Sequence, residues 1–355
     1  MTKSRGLGWP ESRVAVPNGQ PTGVGWPSNA AVPGQKPVEK TTSDPLLPPS
    51  SGDSPPVREA MSSVVSRETS TPTPPAPATV GYSSRGQEEW PRPARRRVIT
   101  IANQKGGVGK TTTAVNLAAA LSMHGQRVLV IDLDPQGNAS TALATEHRGD
   151  VQSIYQVLIE GLPLKEIVKP VPDMPNLYCA PATINLAGAE IELVSMVARE
   201  SRLLKAINAF DDIELDYIFI DCPPSLGLLT VNAMVAAAEV LIPIQCEYYA
   251  LEGLSQLLQN VELVRAHLNP NLSVSTALLT MYDGRTRLAS QVAEDVRAHF
   301  GDTVLKTVIP RSVRVSEAPS YGQSVITYDP GSSGAMAYAD AAREIAFRSA
   351  SVTGG

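Results

Sequence analysis

Two apolar spacings alternate along the chain from Val98 onward. The first is a short unbroken run rich in β-branched residues: Val98-Ile99-Thr100-Ile101-Ala102, Val128-Leu129-Val130-Ile131, Tyr217-Ile218-Phe219-Ile220 and residues 240–244. Strands covered on both faces of a parallel sheet have this unalternating character. The second spacing puts apolar residues three and four apart. Val115, Leu117, Ala118 and Leu121 do so in residues 113–124, with Gly125 as the stop, and Leu288, Val292, Val296 and Phe300 do so further on. Both predict helices with a buried face. The same reading predicts a short helix over 154–159, one long helix over 186–210, another over 251–267 and a last, alanine-rich one over 335–348. Strands are predicted at 272–279 and 304–309, while residues 145–175 carry little pattern beyond that short helix and a proline-rich loop. The alternation implies an α/β fold, a mostly parallel sheet with helices on both faces.

Residues 1–94 break with this pattern and change the domain picture. They hold 17 of the 30 prolines, with many Ser, Thr and Gly, and show no sustained period. A disordered extension is predicted there, followed by one folded domain over 95–350. All three tryptophans fall in the extension, each before a proline: Trp9-Pro10, Trp26-Pro27 and Trp90-Pro91. The first two sit in a repeated Gly-x-Gly-Trp-Pro. A tail with no core has nowhere to bury indole, so the repeat is either a linear motif that docks on a partner, such as a polar scaffold protein, or chance duplication in biased sequence. Met61 is a second possible start, which would remove the first two copies.

Charge narrows the partners. Of 30 Lys+Arg and 35 Asp+Glu, residues 1–97 carry 12 and 8, which leaves 18 and 27 for the remainder. An acidic body meets nucleic acid only through a local patch of arginines. The 43% apolar content supports a proper core. Cys179, Cys222 and Cys246 are too widely spaced for a C-x-x-C metal site or a disulfide framework. No apolar run approaches the roughly 20 residues that span a bilayer, and the first residues lack a signal peptide's apolar core. A cytoplasmic protein with no stable membrane insertion is expected.

The chemistry concentrates where the first strand ends. Asn103-Gln104-Lys105-Gly106-Gly107-Val108-Gly109-Lys110-Thr111-Thr112-Thr113 reads as strand end, glycine-rich turn and helix start. It fits the phosphate-loop pattern G-x-x-x-x-G-K-[ST] except that Gln104 stands at the first glycine, whose role passes to Gly106 and Gly107. Glycines let backbone N–H groups turn towards an anion, the helix opening at Lys110 adds its positive end, and Lys110 reaches the β and γ phosphates. Thr111 offers its hydroxyl to Mg²⁺. Lys105 is a second lysine with no evident task in its own loop, and one resolution is that it serves a neighbouring subunit. Two further strands run into carboxylates, Asp132-Leu133-Asp134-Pro135 and Asp221-Cys222-Pro223-Pro224. Acids at strand ends beside the first strand lie where ligands bind in open α/β sheets. Asp221 reads as the acid that orders water around Mg²⁺, or alternatively as a helix N-cap.

Taken together, residues 105–112, Asp132-Leu133-Asp134-Pro135-Gln136-Gly137-Asn138, residues 221–225, residues 245–253 and residues 310–320 resemble the ParA/Soj chromosome-partitioning ATPases, P-loop NTPases of the SIMIBI class with a deviant Walker A motif. The likeness covers residues 97–347; the tail resembles the variable extensions of actinobacterial members. The resemblance implies a Mg²⁺-dependent ATPase whose two subunits close face to face over two ATP molecules. Lys105 would reach the partner subunit's nucleotide, Lys105, Lys110 and Asp134 would serve catalysis, and Asp134 would position the hydrolytic water. Nucleotide would be held by Lys105, Gly106, Gly107, Val108, Gly109, Lys110, Thr111 and Thr112, with Pro310 and Ser312 at the adenine. Thr111, Asp132 and Asp221 would face the metal. Bulk at Gly106 would block dimer closure. Ser312 stands where many relatives have asparagine. The resemblance points to Arg285 and Arg314 for non-specific double-stranded DNA, with Arg287, Arg297 and Arg311 behind them, and to a ParB-like partner that triggers hydrolysis and release on the nucleoid.

Two other members of this fold group compete. A MinD-like membrane-cycling regulator would end in a basic amphipathic helix, whereas residues 342–348 carry small residues and mixed charge. An iron–sulfur reductase would need paired cluster cysteines, which the three present do not supply. A scaffold that binds ATP without turnover is compatible with the motifs.

Overall fold

The computed structural model describes residues 90–247 and 252–351. The Trp9 and Trp26 motifs and residues 248–251 of the 245–253 segment lie outside the described residues.

The predicted runs do form strands, and the sheet is built around the first of them. β1 (Arg97–Ile101) leads through the glycine loop into α1 (Lys110–Met123), and β2 (Val128–Asp132) follows. Next come α2 (Asn138–Ala142), α3 (Ile154–Ile159), β3 (Lys169–Pro170), β4 (Leu177–Ala180), α4 (Leu186–Val194) and α5 (Arg202–Asn208). The chain continues through β5 (Tyr217–Asp221), α6 (Leu228–Ala236), β6 (Glu239–Gln245), α7 (Glu252–His267), β7 (Ser273–Tyr282) and α8 (Arg287–Phe300). It ends with β8 (Val304–Pro310), α9 (Val313–Glu317), α10 (Val325–Tyr328) and α11 (Ser333–Ser351). The sheet order is β3-β4-β2-β5-β1-β6-β7-β8, parallel except for the short edge pairing of β3 on β4. β1 lies between β5 and β6, with β2 beyond β5, so the carboxyl ends of β5 and then β2 lie on one side of the loop that leaves β1.

Strand residues alternate between two cores, although the sequence shows no polar alternation. Ile99, Ile101, Val128, Val130, Tyr217 and Phe219 pack against α1 and α11. Leu129, Ile131, Ile218 and Ile220 turn the other way, towards α3 to α6. Val240, Ile242 and Ile244 share that second face with α7 and α8. Covering by helices on both faces is why the runs are continuously apolar.

Three expectations change. The long helix over 186–210 is broken: α4 stops at Val194, Ala198 takes a left-handed φ of 53°, and a 3₁₀ turn, Arg199–Ser201, precedes α5. Asn232 on α6 makes the break possible, because its amide donates to Arg199 O at 2.8 Å and its oxygen accepts from Leu203 N at 3.3 Å. Backbone groups freed by ending one helix and starting another are thereby satisfied. The weakly patterned segment leads into β4, which adds a parallel strand beside β2. Finally, the view of Trp90 as an indole without a core does not hold. It is 6% exposed and stacks on His124 at 3.8 Å between ring centroids, and its carbonyl accepts from Gln126 Nε2 at 2.8 Å.

Among the described residues, no helix is long and apolar enough to cross a membrane.

Candidate functional site

The loop from Asn103 to Gly109 is held open from behind. Asn103, buried at the end of β1, donates its amide to Pro243 O on β6 at 2.8 Å and accepts from Lys105 N at 3.0 Å. Thr280 on β7 donates to Val108 O at 2.9 Å. Gly107 and Gly109 sit at φ 74° and 90°, a region that side-chain-bearing residues avoid. Gly109 therefore caps α1 by backbone conformation alone, with no side-chain cap and no acid in the first turn. An uncapped amino terminus of a 14-residue helix leaves several N–H donors free for an anion.

Lys110 is 7% exposed, and its ammonium makes one long hydrogen bond, 3.5 Å to Lys105 O. Burial lowers its pKa, and the charges of Asp221, Cys222 and Asp134 oppose that fall. A cation so poorly satisfied by the protein is suited to an incoming anion.

Asp132 and Asp221 are register partners at the ends of β2 and β5, and both are fully buried. Their surroundings differ. Asp132 Oδ2 accepts from Ser140 N at 2.8 Å and Ser140 Oγ at 2.7 Å, while Oδ1 accepts from Asp134 N at 3.2 Å. Burial raises its pKa to about 6 against those bonds. Neither oxygen of Asp221 has a hydrogen-bond partner. Burial, then the neighbouring Asp132 charge, pushes Asp221 well above the usual carboxylate range; the nearby Thr111 hydroxyl favours its charged form without completing a hydrogen bond. Asp132, expected to face a metal, is thus committed to Ser140 and the Asp134 backbone, while Asp221 keeps its full acceptor capacity. Among the described residues no group of three or more His, Cys, Asp or Glu side chains could hold a metal. Mg²⁺ keeps several waters and relies on one or two protein oxygens plus phosphates. The orphaned Asp221 beside Thr111 is the pair suited to it.

Asp134 is 8% exposed and accepts from Gln136 N at 3.0 Å, and its carbonyl accepts from Gly137 N at 2.9 Å. Lys105 lies elsewhere: its ammonium pairs with Glu247 at 3.4 Å, and Glu247 also takes Arg311 at 3.4 Å. Pro310 ends β8 opposite Tyr282. Ser312 precedes α9 without a side-chain cap, and its hydroxyl packs against Gly334 of α11. Arg285 and Arg314 follow β7 and β8, and each is already paired. Arg285 makes a two-pronged contact with Asp283 at 2.9 and 2.8 Å, and Arg314 meets Glu317 at 3.0 Å and Asp329 at 3.3 Å. Sequence reasoning named Asn103 only as part of the loop and Glu247 only within the 245–253 segment, and did not single out Thr280 or Ser140; the anchoring of Asn103 on Pro243, of Thr280 on Val108 and of Glu247 on Lys105 joins segments far apart in sequence.

A crevice of about 260 Å³ opens beside Thr111 and Thr112, between α1, α2 and the Ala318–Tyr321 turn. A larger cavity of about 460 Å³ near Val157, Arg202 and Phe210 shares no residue with the loop, so volume alone would misdirect the search.

A glycine-rich loop between a buried strand and a bare helix terminus, with one buried lysine inside and an orphaned strand-end carboxylate beside it, defines a P-loop nucleotide-binding protein of the α/β class. Residues 96–274 match the family described as an AAA domain. The chain is 56% identical over 250 residues to the sporulation initiation inhibitor protein Soj of Bacillus subtilis (strain 168), covering 70% of this chain and 98% of that protein. It is 51% identical over 253 residues to the chromosome partitioning protein ParA of Caulobacter vibrioides (strain NA1000 / CB15N), covering 71% and 94%. Among solved structures, a cobyrinic acid a,c-diamide synthase from Mycobacterium smegmatis with bound ADP and magnesium superposes with a TM-score of 0.61 at 37% identity, covering 70% of this chain and 92% of that one. This chain belongs to the ParA/Soj family of chromosome-partitioning ATPases.

Proposed function

We propose that this protein binds Mg²⁺-ATP, closes as a homodimer over two nucleotides, holds DNA without sequence preference in that state, and lets go when a ParB-like partner stimulates hydrolysis. The setting would be the nucleoid, in the cytoplasm. The observation that carries the reading is the buried Lys110 facing the orphaned Asp221 at an uncapped helix terminus, in a chain of this family.

In this reading Lys110 and the first N–H groups of α1 bind and orient the phosphates. Thr111 and Asp221 would hold the metal, which supplies neutralisation of charge building up on the phosphoryl oxygens. Asp134 sits on a turn fixed to the end of β2 and orients the attacking water. Alignment and electrostatics supply nearly all phosphoryl-transfer catalysis, so a fixed turn serves that role. Lys105 is restrained by a half-exposed ion pair worth about 1 kcal/mol or less, which a partner's phosphate would displace. Arg285 and Arg314 would exchange their present carboxylates for DNA phosphates, a contact that carries no sequence information.

The test is ATP turnover by the full chain with neither, either and both of DNA and a ParB-like partner. Synergy of both additions is expected. Turnover insensitive to both would overturn the partition reading, and absence of ATP binding would overturn the site.

A further inference from the structure

The turn that carries Asp134 is braced from outside by a residue that no motif contains. His147 lies in the half-exposed loop after α2, and its ring occupies the space over Gly137. A Cβ built on Gly137 would sit 2.8 Å from His147 Cδ2 and 3.2 Å from Nε2, and Gly137 has a left-handed φ of 62°. The ring is held at both nitrogens, with Nδ1 2.8 Å from Thr145 O and Nε2 3.2 Å from Thr141 Oγ1. Thr141 Oγ1 is in turn 3.0 Å from Gly137 O, and Gly137 N donates to Asp134 O at 2.9 Å.

The donors fix the tautomer. A carbonyl only accepts, so Nδ1 carries a proton, and in the neutral ring Nε2 accepts from the Thr141 hydroxyl. In the charged ring Nε2–H donates to Thr141, whose own proton then goes to Gly137 O. Either form keeps the link from Thr145 through the imidazole to Thr141 on α2; the hydroxyl bond onward to Gly137 O is made only with the charged ring, and in the neutral form the brace on Gly137 is the packing of the ring itself. The inner side of the same turn is fastened by Ser140 to Asp132. Without the ring Gly137, the most permissive residue of the turn, keeps its backbone bonds to Asp134 and Thr141 and its approach to the Ala182 carbonyl, but loses the packing of the imidazole on its outer side.

We propose that His147 is a positioning residue for hydrolysis: it presses on Gly137 and holds the Asp134 turn in the geometry that orients the attacking water. The inference rests on Asp134 having that role, and the two are separable by experiment.

Single-turnover hydrolysis of ATP by the full chain, in saturating Mg²⁺, is measured for wild type, His147→Ala, His147→Gln, Asp134→Ala and His147→Ala combined with Asp134→Ala. His147→Ala is expected to lower kcat about tenfold, the scale of a small misplacement of a reacting group, with KM for ATP within about twofold. Glutamine carries one donor and one acceptor, so His147→Gln is expected to regain most of the rate. In the Asp134→Ala background the alanine at 147 is expected to change nothing further. Unchanged kcat in a His147→Ala protein that melts like wild type overturns the inference. So does an equal loss in both backgrounds, or a loss confined to KM. Wild-type turnover in Asp134→Ala instead overturns the water-positioning reading itself.

Discussion

The two acids that end β2 and β5 share one sequence grammar, a buried apolar run closing on Asp, yet the fold treats them in opposite ways. Around Asp132 every oxygen is used: Ser140 fastens one and the Asp134 backbone the other, and the turn beyond is bridged by His147. Around Asp221 nothing is bonded, although it is equally buried. Burying a bare carboxylate is costly, so a fold that keeps one beside a buried lysine and a helix amino terminus holds unspent binding capacity there. One side of the phosphate site is a frame, and the other side is left for a ligand.

Replacing each acid by its amide separates the bonded acid from the unbonded one. Asp221→Asn is expected to lower Mg²⁺-dependent hydrolysis about a hundredfold or more while leaving the melting temperature of the ligand-free protein unchanged or higher, since a costly buried charge is gone. Asp132→Asn is expected to destabilise the ligand-free protein by about 1–3 kcal/mol, because in either orientation its amide NH2 would face a donor, at Ser140 or at the Asp134 N–H. Turnover assays with thermal melts on both variants decide it. Destabilisation by Asp221→Asn as large as by Asp132→Asn would erase the distinction.

Gly106 tests how far the open side extends. A Cβ there meets nothing within 4 Å, and its φ is not in the left-handed region. Gly106→Val should therefore fold and bind ATP as a monomer, and any deficit must come from a second molecule. Sedimentation with a non-hydrolysed ATP analogue is expected to show the dimer fraction falling at least tenfold, because overpacking of a close interface commonly costs about 1–3 kcal/mol. An unaltered dimer would remove face-to-face closure at this loop.

How much of this was legible beforehand follows from locality. β1, β2, β5 and the loop with Lys110 are each written in consecutive residues, and the apolar runs state that both faces of the sheet are covered. β4 was not legible, because Leu177–Ala180 is only four residues long and follows a proline-rich loop. The break at Ala198 depends on Asn232, and the restraint on Lys105 depends on Glu247; both partners are distant in sequence. Trp90 shared the Trp-Pro context of the tail, and nothing local distinguishes it from Trp9 and Trp26. Asp132 and Asp221 look alike because hydrogen-bond satisfaction is a property of what surrounds a strand end, not of the strand.

The two acids also set a pH dependence. Both have folded pKa values raised above their unfolded ones, Asp132 from 3.8 to about 6. For an acid so shifted, the stability contribution is fully present below the unfolded value and is lost as pH rises through the folded one. The ligand-free protein should therefore lose a few degrees of melting temperature, roughly the 2–4 °C per kcal/mol expected at this size, between about pH 4 and 7. Saturating Mg²⁺-ATP should flatten that slope, because cation and ammonium then stabilise the ionised pair. Melts across this range in both states check it, and a slope that persists with Mg²⁺-ATP would detach the acids from the ligand.

The smallest expected effect lies on the outer rim, where satisfied and free charges meet again. Arg285 is exposed and doubly bonded to Asp283, which its guanidinium lowers to about 2. If Arg285 serves DNA, the carboxylate competes with phosphate for the same fork, and surface pairs of this kind are weak enough to exchange. Asp283→Asn is then expected to raise DNA retention about two- to threefold at low salt, an effect that fades as ionic strength rises. Arg285→Glu is expected to lower retention by more than that, with ATP-driven dimerisation intact. Filter binding across a salt series reads both. Since the asparagine removes a competitor and the glutamate removes the contact, opposite signs assign Arg285 to DNA. Equal retention in wild type and both variants would leave the pair as surface chemistry, and Arg314, held by two acids of its own, would carry the patch alone.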